Sequence, residues 1–381
     1  FFAPRYHPNQ TGWVKALHSA GYTVEFWVMY EHPWYVETPC RVLRIQESAL
    51  SWFFSPKSAD KLANPEDVQR ARFLPSIRHM RGLLRQPPRA IVLRDKTRAS
   101  FLAGLIARLF RVEEILFYDQ VPVAKKNCTR PRGMFEELFQ RLVRLDRSPI
   151  VSPVPGDVRL AVRPEQHESG NPKRTFVPFV VERQETRKME DFFPQGKSRI
   201  VVVGKYRPYK NPFVIYEALQ YLTPGQLRKL SLVFVGQEQT DAETMLRREL
   251  QSSLQTLRPD LNVEFRSNVA HSDMTKVYRQ SDVFLLASSN DLAAIAPLEA
   301  MAHGLVLLVS QANGTTSYIK DRETGFSFDP HKPRALKALV EEILDNPSAA
   351  AQLGIRAQGF ARTYLSPQRF LAMFPLSPEF K

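Results

Sequence analysis

The stretch ASSNDLAAIAPLEAMAHG, residues 287–304, sets two carboxylates around a predicted helix start. Asp291 lies in a run of small residues, and Glu299 follows at the start of the helix. Pro297 suits the first helical turn, where its missing N–H costs nothing, and Gly304 suits the end of the helix. The free N–H groups and the positive end of the helix dipole favour an anion, whereas the carboxylates favour hydroxyls. The stretch therefore predicts a site for a polyol that carries a phosphate.

Beyond this stretch, short apolar segments alternate with amphipathic helical patterns along most of the chain. This alternation is typical of parallel sheets whose strands are joined by crossover helices. In such sheets ligands bind beyond the carboxyl ends of the strands, so Gly204, Gly236 and Asp291 are expected to border one cleft. A first strand is predicted to end near Ala3, and further strands are predicted over 22–28, 90–93, 114–118, 149–152, 175–177, 199–204, 230–236, 262–266, 282–287 and 305–310. Helices are predicted over 12–20, 66–85 with a break at Pro75, 98–110, 133–145, 212–222, 243–256 and 273–280.

The chain of 381 residues is too long for one ordinary α/β domain, so two domains are expected. A charged segment without periodicity, residues 182–198, contains proline and glycine and is the predicted linker. It separates a first domain over 1–181 from a second over 199–362, and a helical tail over 363–381 can cross back to the first. Because the chain opens at Phe1 without methionine, we expect part of a first strand to be missing.

Basic residues are concentrated in the first half of the chain. The formal net charge is +14, and residues 1–180 hold 28 Lys and Arg against 17 Asp and Glu. A segment of interleaved arginines and apolar residues can lie on an anionic membrane surface or receive an acidic acceptor; a solvated helix face is the alternative. Nucleic acid is not expected, because no recognised binding motif accompanies the charge. The arginines of this segment are Arg70, Arg72, Arg78, Arg81, Arg85 and Arg89.

Several other classes of protein are not expected from the composition. No run of eighteen apolar residues occurs, so no segment is expected to span a bilayer, and no secretory leader is recognisable. Cys40 and Cys128 are far apart and lack ligand spacing, which indicates a reducing compartment and neither a disulfide nor a zinc site. We therefore expect a cytoplasmic protein, peripheral at the inner face of the membrane if the basic segment binds lipid.

Residues 291–304 read DLAAIAPLEAMAHG and resemble the hallmark of the retaining family-four glycosyltransferases, also called glycosyl transferases group 1. That hallmark has two Glu residues with seven residues between them and an A-M-A-x-G tail; here Asp291 takes the first place and Glu299 the second. The resemblance implies the glycosyltransferase type B fold, an α/β fold of two Rossmann-like domains whose parallel sheets face a cleft. It also implies that Asp291 bonds the donor sugar and Glu299 the ribose of its nucleotide. The backbone amides implied to face the sugar and phosphates are those of Ala294, Ile295 and Ala296.

A second element, VGKYRPYKNP over 203–212, resembles the family's pair of cations on the donor diphosphate. Gly204 matches the first glycine of that pattern, Lys205 stands where Arg is usual, and Lys210 matches the Lys. Arg207 lies between them and can supply the bidentate fork that Lys205 lacks. Such cations stabilise the charge that grows on a departing nucleoside diphosphate. A solvated turn after a strand is the alternative.

A third element, SQANGTTSYIKDRETGF over 310–326, resembles the family's segment with a glycine pair, a Glu and an Ile-x-Asp sequence. Gly314 falls in the glycine pair, and Ser317 stands where Glu is usual. The resemblance implies that Gly314 approaches the donor phosphates closely; a simple turn explains this glycine equally well.

The resemblance is looser in the first half of the chain. The loop from Pro4 to Gly12 matches the family's first-strand loop, which meets acceptor and donor. Many relatives carry a His at the end of a later strand, beside the reacting sugar, and this chain has Asp119 at the counterpart. Asp119 can take that polar role or cap a helix. The candidates for acceptor binding are Arg5, Asn9, Gly12 and Arg94, with Asp95 beside Arg94.

These resemblances imply a metal-independent, retaining hexosyltransferase that moves a sugar from a nucleotide-sugar donor to an acceptor. The basic charge of the first half of the chain predicts that this acceptor is a lipid-linked or polyanionic glycan, as in cell-surface polysaccharide biosynthesis. No Asp-x-Asp motif is present to hold a metal ion, and no cofactor is expected besides the donor. One alternative is a transferase acting on a small sugar or a storage glucan. The other is a catalytically silent homologue that binds nucleotide sugar as the partner of another transferase.

Overall fold

The chain forms two compact units, each built around a parallel sheet. The computed structural model describes residues 1–30, 38–51, 73–94, 97–122, 148–162, 174–257 and 261–375. The amino-terminal unit contains the described residues of 1–153, those of 165–178 and those from Phe370 onward. The carboxyl-terminal unit contains the described residues of 154–164 and of 179–369.

The amino-terminal unit has a seven-stranded parallel sheet in the order β3-β2-β1-β4-β5-β6-β7. Its short first strand lies in the centre, where Phe2 pairs with Trp27 on one side and Leu93 on the other. The strands are β1 (Phe2–Ala3), β2 (Glu25–Val28), β3 (Arg41–Arg44), β4 (Ala90–Arg94), β5 (Glu114–Tyr118), β6 (Ile150–Ser152) and β7 (Arg174–Phe176). The α-helices are α1 (Thr11–Ser19), α2 (Ile77–Leu83) and α3 (Arg98–Leu109), with 3-10 turns at Pro8–Gln10 and Ala49–Ser51.

The carboxyl-terminal unit has a six-stranded parallel sheet in the order β10-β9-β8-β11-β12-β13. The strands are β8 (Ser198–Val203), β9 (Leu230–Gly236), β10 (Asn262–Ser267), β11 (Val283–Leu286), β12 (Val306–Ser310) and β13 (Phe326–Phe328). The α-helices are α4 (Val158–Val162), α5 (Phe213–Gln220), α6 (Pro224–Leu227), α7 (Asp241–Leu257), α8 (Met274–Arg279), α9 (Ala296–Ala302), α10 (Pro333–Asp345) and α11 (Pro347–Tyr364). The 3-10 turns are Met189–Asp191, Pro194–Gly196, Pro208–Lys210, His271–Asp273 and Gly314–Tyr318.

The central strands of the carboxyl-terminal sheet are apolar at nearly every position. The VFLL of β11 and the VLLVS of β12 are buried throughout, as expected for parallel strands that helices cover on both faces. Every residue of these strands therefore contributes to the core. The predicted donor-site residues Lys210 and Asp291 lie in the loops beyond the carboxyl ends of β8 and β11.

The predicted fold class, α/β with two Rossmann-like units and parallel sheets, is confirmed. Two short edge strands, β3 and β13, were not predicted. Of the helical region predicted over 66–85, the break at Pro75 and the helix after it are confirmed, because α2 begins after Pro75 with Ser76 as its N-cap. Residues 73–75 are not helical, and residues 66–72 lie outside the described residues. Pro75 instead bridges Glu47 and marks the end of an extended segment. The helix predicted over 133–145 lies outside the described residues.

Residues 182–198, the predicted linker, lie in the carboxyl-terminal unit and are anchored there by a buried ion cluster. Asp282, which is fully buried, accepts hydrogen bonds from Arg187 Nη2 at 2.9 Å and from Arg199 Nη2 at 2.6 Å. It also accepts the backbone N–H of Phe193 at 3.1 Å. The guanidinium of Arg187 stacks on Phe192, 4.0 Å from the ring centre. The segment is therefore held in place by a paired buried charge.

The last described helix, α12 (Pro367–Met373), carries Phe370, which belongs to the amino-terminal unit. There the ring of Phe370 lies 5.1 Å from that of Trp13, whose indole N–H donates to the carbonyl of Pro178 at 2.8 Å. None of the helices in the described ranges has the length and hydropathy to cross a membrane.

Candidate functional site

The loop that follows β8 closes over Gly204. The aliphatic stem of Lys210 runs across this glycine, where an added Cβ would stand 3.4 Å from Lys210 Cδ. Asn211 has a φ of 51°, a left-handed conformation that Gly and Asn adopt most readily. The carbonyl of Tyr209 accepts the N–H of Ser289 at 2.8 Å. The loop after β8 is therefore hydrogen-bonded to the loop after β11.

Lys210 and Asp291 form a short ion pair, and each side chain is only 14% exposed. Lys210 is the residue predicted to hold the donor phosphate, and Asp291 the residue predicted to bond the donor sugar. The structure brings the two together beyond the carboxyl ends of β8 and β11. A ligand that offers a phosphate to one and a hydroxyl to the other satisfies both groups at once.

The loop after β11 is pressed against the loop after β12. Asp291 donates its N–H to Ala312 O at 3.0 Å, and Gly314 donates to Asp291 O at 2.9 Å. A Cβ on Gly314 would lie 1.9 Å from the carbonyl oxygen of Leu292, so no other residue fits there without a backbone shift. Gly314 therefore has a structural reason to be glycine that does not depend on phosphates.

The predicted backbone amides lie at the start of α9. The N–H of Ala294 donates to Asn313 Oδ1 at 3.3 Å, so in this structure it is engaged and does not face a ligand. Thr315 fixes the next peptide group by donating from Oγ1 to Ala294 O at 2.8 Å. Ile295 is the N-cap of α9, and Ala296 is its first residue. Ile295 and Ala296 thus remain the predicted donors at the helix start.

Glu299 lies in the first turn of α9, after Pro297, as predicted. Its Oε2 accepts the hydroxyl of Tyr278 at 3.1 Å, and its Oε1 lies 3.6 Å from Nε2 of His271. Burial raises the pKa of Glu299 above its ordinary value, and positive charge on His271 and the Tyr278 bond partly offset that rise. The carboxylate keeps 19% of its side chain exposed, which leaves it accessible to a ligand.

The other cations of the loop after β8 are arranged differently. Arg207 donates from Nε to Glu243 Oε1 at 2.7 Å, and Glu243 is buried at the start of α7. Burial alone raises the pKa of Glu243, but the hydrogen bonds from Arg207 and from the Gln239 N–H outweigh it and hold the pKa below its ordinary value. Lys205 adds a further positive charge nearby. Arg207, predicted as a donor-binding fork, is therefore part of a structural ion pair.

In the amino-terminal unit, Asp119 lies at the carboxyl end of β5 and pairs with Arg174 of β7 at 2.6 Å. Asp119 also accepts the N–H of Val121 at 3.2 Å, so it closes a turn as well. At the end of β4, the guanidinium of Arg94 lies 5.8 Å from the centre of the Tyr118 ring. The structure therefore places Asp119 and Arg94 at the ends of adjacent strands, and Asp95 lies outside the described residues.

The predicted loop from Pro4 to Gly12 follows β1. Asn9 is buried and donates its N–H to His7 Nδ1 at 3.2 Å, whereas Arg5 is half-buried. Gly12 lies in the first turn of α1. These residues stay candidates for acceptor binding.

Residues 183–360 match the model of the family described as Glycosyl transferases group 1. Over this range the chain is similar to the group 1 glycosyl transferases. The matched range contains β8 to β13 and every residue of the Lys210, Asp291 and Glu299 site. The family suspected from residues 291–304 is thus confirmed.

The chain is also similar to curated transferases. D-inositol 3-phosphate glycosyltransferase of Corynebacterium glutamicum is 25% identical over 224 residues, which are 58% of this chain and 48% of that protein. UDP-Gal:alpha-D-GlcNAc-diphosphoundecaprenol alpha-1,3-galactosyltransferase of Escherichia coli is 34% identical over 128 residues, 33% of this chain and 31% of that protein. The chain matches less than half the length of these relatives.

Solved structures match nearly the whole chain in fold. The glycosyltransferase of Rickettsia africae has a TM-score of 0.68 at 14% identity, covering 96% of this chain and 91% of that one. HepE of Anabaena in complex with UDP and glucose has a TM-score of 0.64 at 11% identity, covering 97% and 96%. At such identities the likeness shows the fold alone, which is the two-sheet fold of these transferases.

Several residues that contact the candidate site residues were not singled out from the sequence. Glu243 could have been predicted as a helix-capping residue, because Thr240 and Glu243 have the spacing of a capping box. In the structure the two residues exchange hydrogen bonds at 3.2 and 3.3 Å. Tyr278 of α8 was missed because it meets Glu299 only in the folded chain. His271 ends the stretch 268–271, where the resemblance predicts backbone contacts to the nucleobase, but its side-chain contact with Glu299 has no local signal. Arg174 has no local signal either, because it comes close to Asp119 only through the order of the strands in the sheet.

Proposed function

We propose that the chain is a glycosyltransferase that moves a hexose-like sugar from a nucleotide-sugar donor to a glycan or lipid-linked acceptor, with retention of anomeric configuration. The observation that carries the proposal is the Lys210–Asp291 pair beside the start of α9. It puts a phosphate-binding cation, a hydroxyl-binding carboxylate and Glu299 in one small region of a group 1 transferase unit.

A nucleotide-sugar donor fits this region group by group. Lys210 binds the diphosphate, with Lys205 close by, and Asp291 accepts a hydrogen bond from a sugar hydroxyl. Oε1 of Glu299 accepts hydrogen bonds from the ribose hydroxyls. Support for a uridine nucleotide comes from the UDP bound in the Anabaena structure and from the UDP-Gal in the name of the Escherichia coli relative.

The proposed chemistry exchanges one glycosidic bond for another. The bond from the anomeric carbon to the leaving phosphate oxygen breaks, and a bond to the acceptor oxygen forms on the same face. The acceptor proton passes to the departing phosphate, so no dedicated protein base is required. Lys210 stabilises the charge that develops on the leaving diphosphate, the contribution expected of a fixed cation. No metal ion or cofactor is part of the proposal.

The proposed acceptor is anionic or lipid-linked, as in cell-surface polysaccharide assembly. Exposed arginines on and after α2 support it, together with Ile77, which is 60% exposed on the same helix. The diphosphoundecaprenol in the name of the Escherichia coli relative supports it as well. Vesicles with and without anionic lipid test the membrane part: we expect binding to the anionic vesicles only, and equal binding to both contradicts it. The exposed arginines are Arg78, Arg81, Arg85 and Arg89.

A nucleotide screen tests the donor part of the proposal. The melting temperature is measured with UDP, GDP and ADP and with their sugars, for the wild type and Lys210→Met. We expect one nucleotide series to raise the wild-type melting temperature, since a ligand that binds only the folded state stabilises it, and the rise to shrink in the variant. No rise with any of them would count against the donor site.

A silent nucleotide-sugar-binding homologue is the second candidate. The departures from the family pattern favour it: Asp291 is shorter than the usual Glu, and Ser317, where Glu is usual, donates its hydroxyl to Gly314 O at 2.5 Å. This candidate predicts stabilisation by a nucleotide sugar without any turnover. The screen therefore has to be followed by an assay of activity.

A further inference from the structure

The carboxylate of Glu299 is held by two different connections of the sheet. Tyr278 of α8, which is fully buried, donates its hydroxyl to Oε2 from within the core. His271, in the 3-10 turn after β10, places Nε2 3.6 Å from Oε1 and has a side chain 46% exposed. One oxygen is therefore anchored inside the protein, and the other faces an imidazole that solvent reaches.

A ligand that reaches Glu299 comes to lie beside His271. Since Oε2 is occupied by Tyr278, a ligand hydroxyl approaches Oε1, the oxygen on the histidine side. The imidazole is thus within reach of both the carboxylate and whatever the carboxylate binds. Histidine is also the side chain whose charge changes most readily between about pH 5 and 8.

We propose that His271 is a positioning residue of the donor site: its imidazole orients the Oε1 side of Glu299 toward the ligand and, when protonated, adds a positive charge beside a bound nucleoside diphosphate. The inference rests on the proposed function, because it takes the ligand to be a nucleotide sugar. It adds a side-chain role and a pH dependence that the family resemblance did not supply.

The charges around Glu299 come from several elements. Burial raises the pKa of Glu299, Glu182 raises it further, and positive charge on His271 together with the Tyr278 bond lowers it. His303, on α9 itself, contacts the backbone carbonyl of Glu299 at 2.8 Å and not its carboxylate. Burial lowers the pKa of His303, and the charges of Arg279 and Arg187 act in the same direction, so the charged form of His303 is disfavoured. Within the described residues, His271 is the group that favours the ionised carboxylate by its charge.

The sign of the pH dependence follows from linkage. A nucleoside diphosphate is an anion, so its binding favours the protonated form of an adjacent imidazole. Binding then takes up protons, and affinity rises as the pH falls from 8 to 6. The phosphate itself titrates in this range, which is why the comparison has to be made between variants with the same nucleotide.

Isothermal titration of the full chain tests the proposal. UDP, GDP and ADP are titrated, and the tightest binder is used at pH 8 and pH 6 in two buffers of different ionisation enthalpy. The wild type is compared with His271→Gln, and His18→Gln, an exposed histidine on α1, is the matched control. We expect the wild type and the control to gain about fivefold more affinity than His271→Gln on going from pH 8 to 6, with a larger proton uptake.

His271→Lys separates charge from simple contact, because it keeps a positive charge throughout this range. We expect it to bind at pH 8 at least as tightly as the wild type and to show the smaller pH dependence of His271→Gln. Equal pH dependence and equal proton uptake in the wild type and His271→Gln, with binding retained, overturn the role of His271 and leave the proposed function in place. Failure of all three nucleotides to bind the wild type overturns the proposed function, and this inference with it.

Discussion

At the scale of single residues, the ion pair between Lys210 and Asp291 is the central observation. Both residues were singled out from the sequence, one as a cation on phosphate and the other as a carboxylate on sugar. Their pairing was not predicted, because the two lie in separate loops and meet only through the packing of β8 beside β11. The two opposite charges satisfy each other in this pair, so a donor that binds both groups competes with their mutual contact.

Asp291→Asn separates the two roles of the pair. The substitution removes the carboxylate charge and releases Lys210, so we expect UDP to bind at least as tightly as to the wild type. Sugar transfer should fall about 10²-fold, the loss typical of removing one preorganised group from a polar site. Titration with UDP and a transfer assay measure the two effects, with the exposed Asp345→Asn as control. A parallel fall in UDP affinity and in rate contradicts separate roles.

At the scale of elements, the close approach of the loops after β11 and β12 shapes the site. Gly314 permits it, because an added Cβ would meet the Leu292 carbonyl oxygen at 1.9 Å. We expect Gly314→Ala to push the Asp291 loop away and to lower both UDP affinity and transfer. Gly359→Ala is the matched control, since nothing lies within 4 Å of its added Cβ in α11 and helical alanine is favoured. Unchanged activity in Gly314→Ala would show that the approach is dispensable.

At the same scale, substitution of Asp282 tests how much its buried ion cluster contributes to the stability of the carboxyl-terminal unit. Asp282→Asn leaves Arg187 and Arg199 without their carboxylate, and breaking a buried pair costs about 3–5 kcal/mol in the free energy of unfolding. The exposed pair of Arg266 and Glu264 is the control, and Arg266→Gln should cost at most ~1 kcal/mol. Denaturant unfolding of both variants measures the difference. Equal losses would show that the segment over 182–198 does not depend on this cluster.

Secondary structure was predictable where the sequence carries strong patterns. The apolar runs of β9, β11 and β12 and the periodicity of α7 gave their positions within a few residues. The edge strands β3 and β13 have three or four residues each and no distinctive run, so only their pairing with β2 and β12 makes them strands. The engagement of Arg207 with Glu243 was equally hidden, because the partner comes from a different strand connection.

At the scale of the whole molecule, the proposed donor site and the candidate acceptor residues belong to different units. The carboxyl-terminal unit holds the group 1 match and the proposed donor site. The amino-terminal unit holds most of the excess positive charge and the candidate acceptor residues. Sequence patterns sufficed for the fold class and for the family, because both rest on local motifs. Acceptor, linkage and sugar depend on loops whose contacts no local pattern specifies.

The most direct test of the central claim is the release of nucleoside diphosphate from nucleotide sugars. Wild type, Glu299→Ala and the control Gly359→Ala are incubated with UDP-, GDP- and ADP-sugars, with and without lipid-linked acceptors, and the released diphosphate is measured. The account predicts turnover of one donor series by the wild type and the control, and its loss in Glu299→Ala. Binding of a nucleotide sugar without turnover by the wild type would contradict the account and identify a silent homologue.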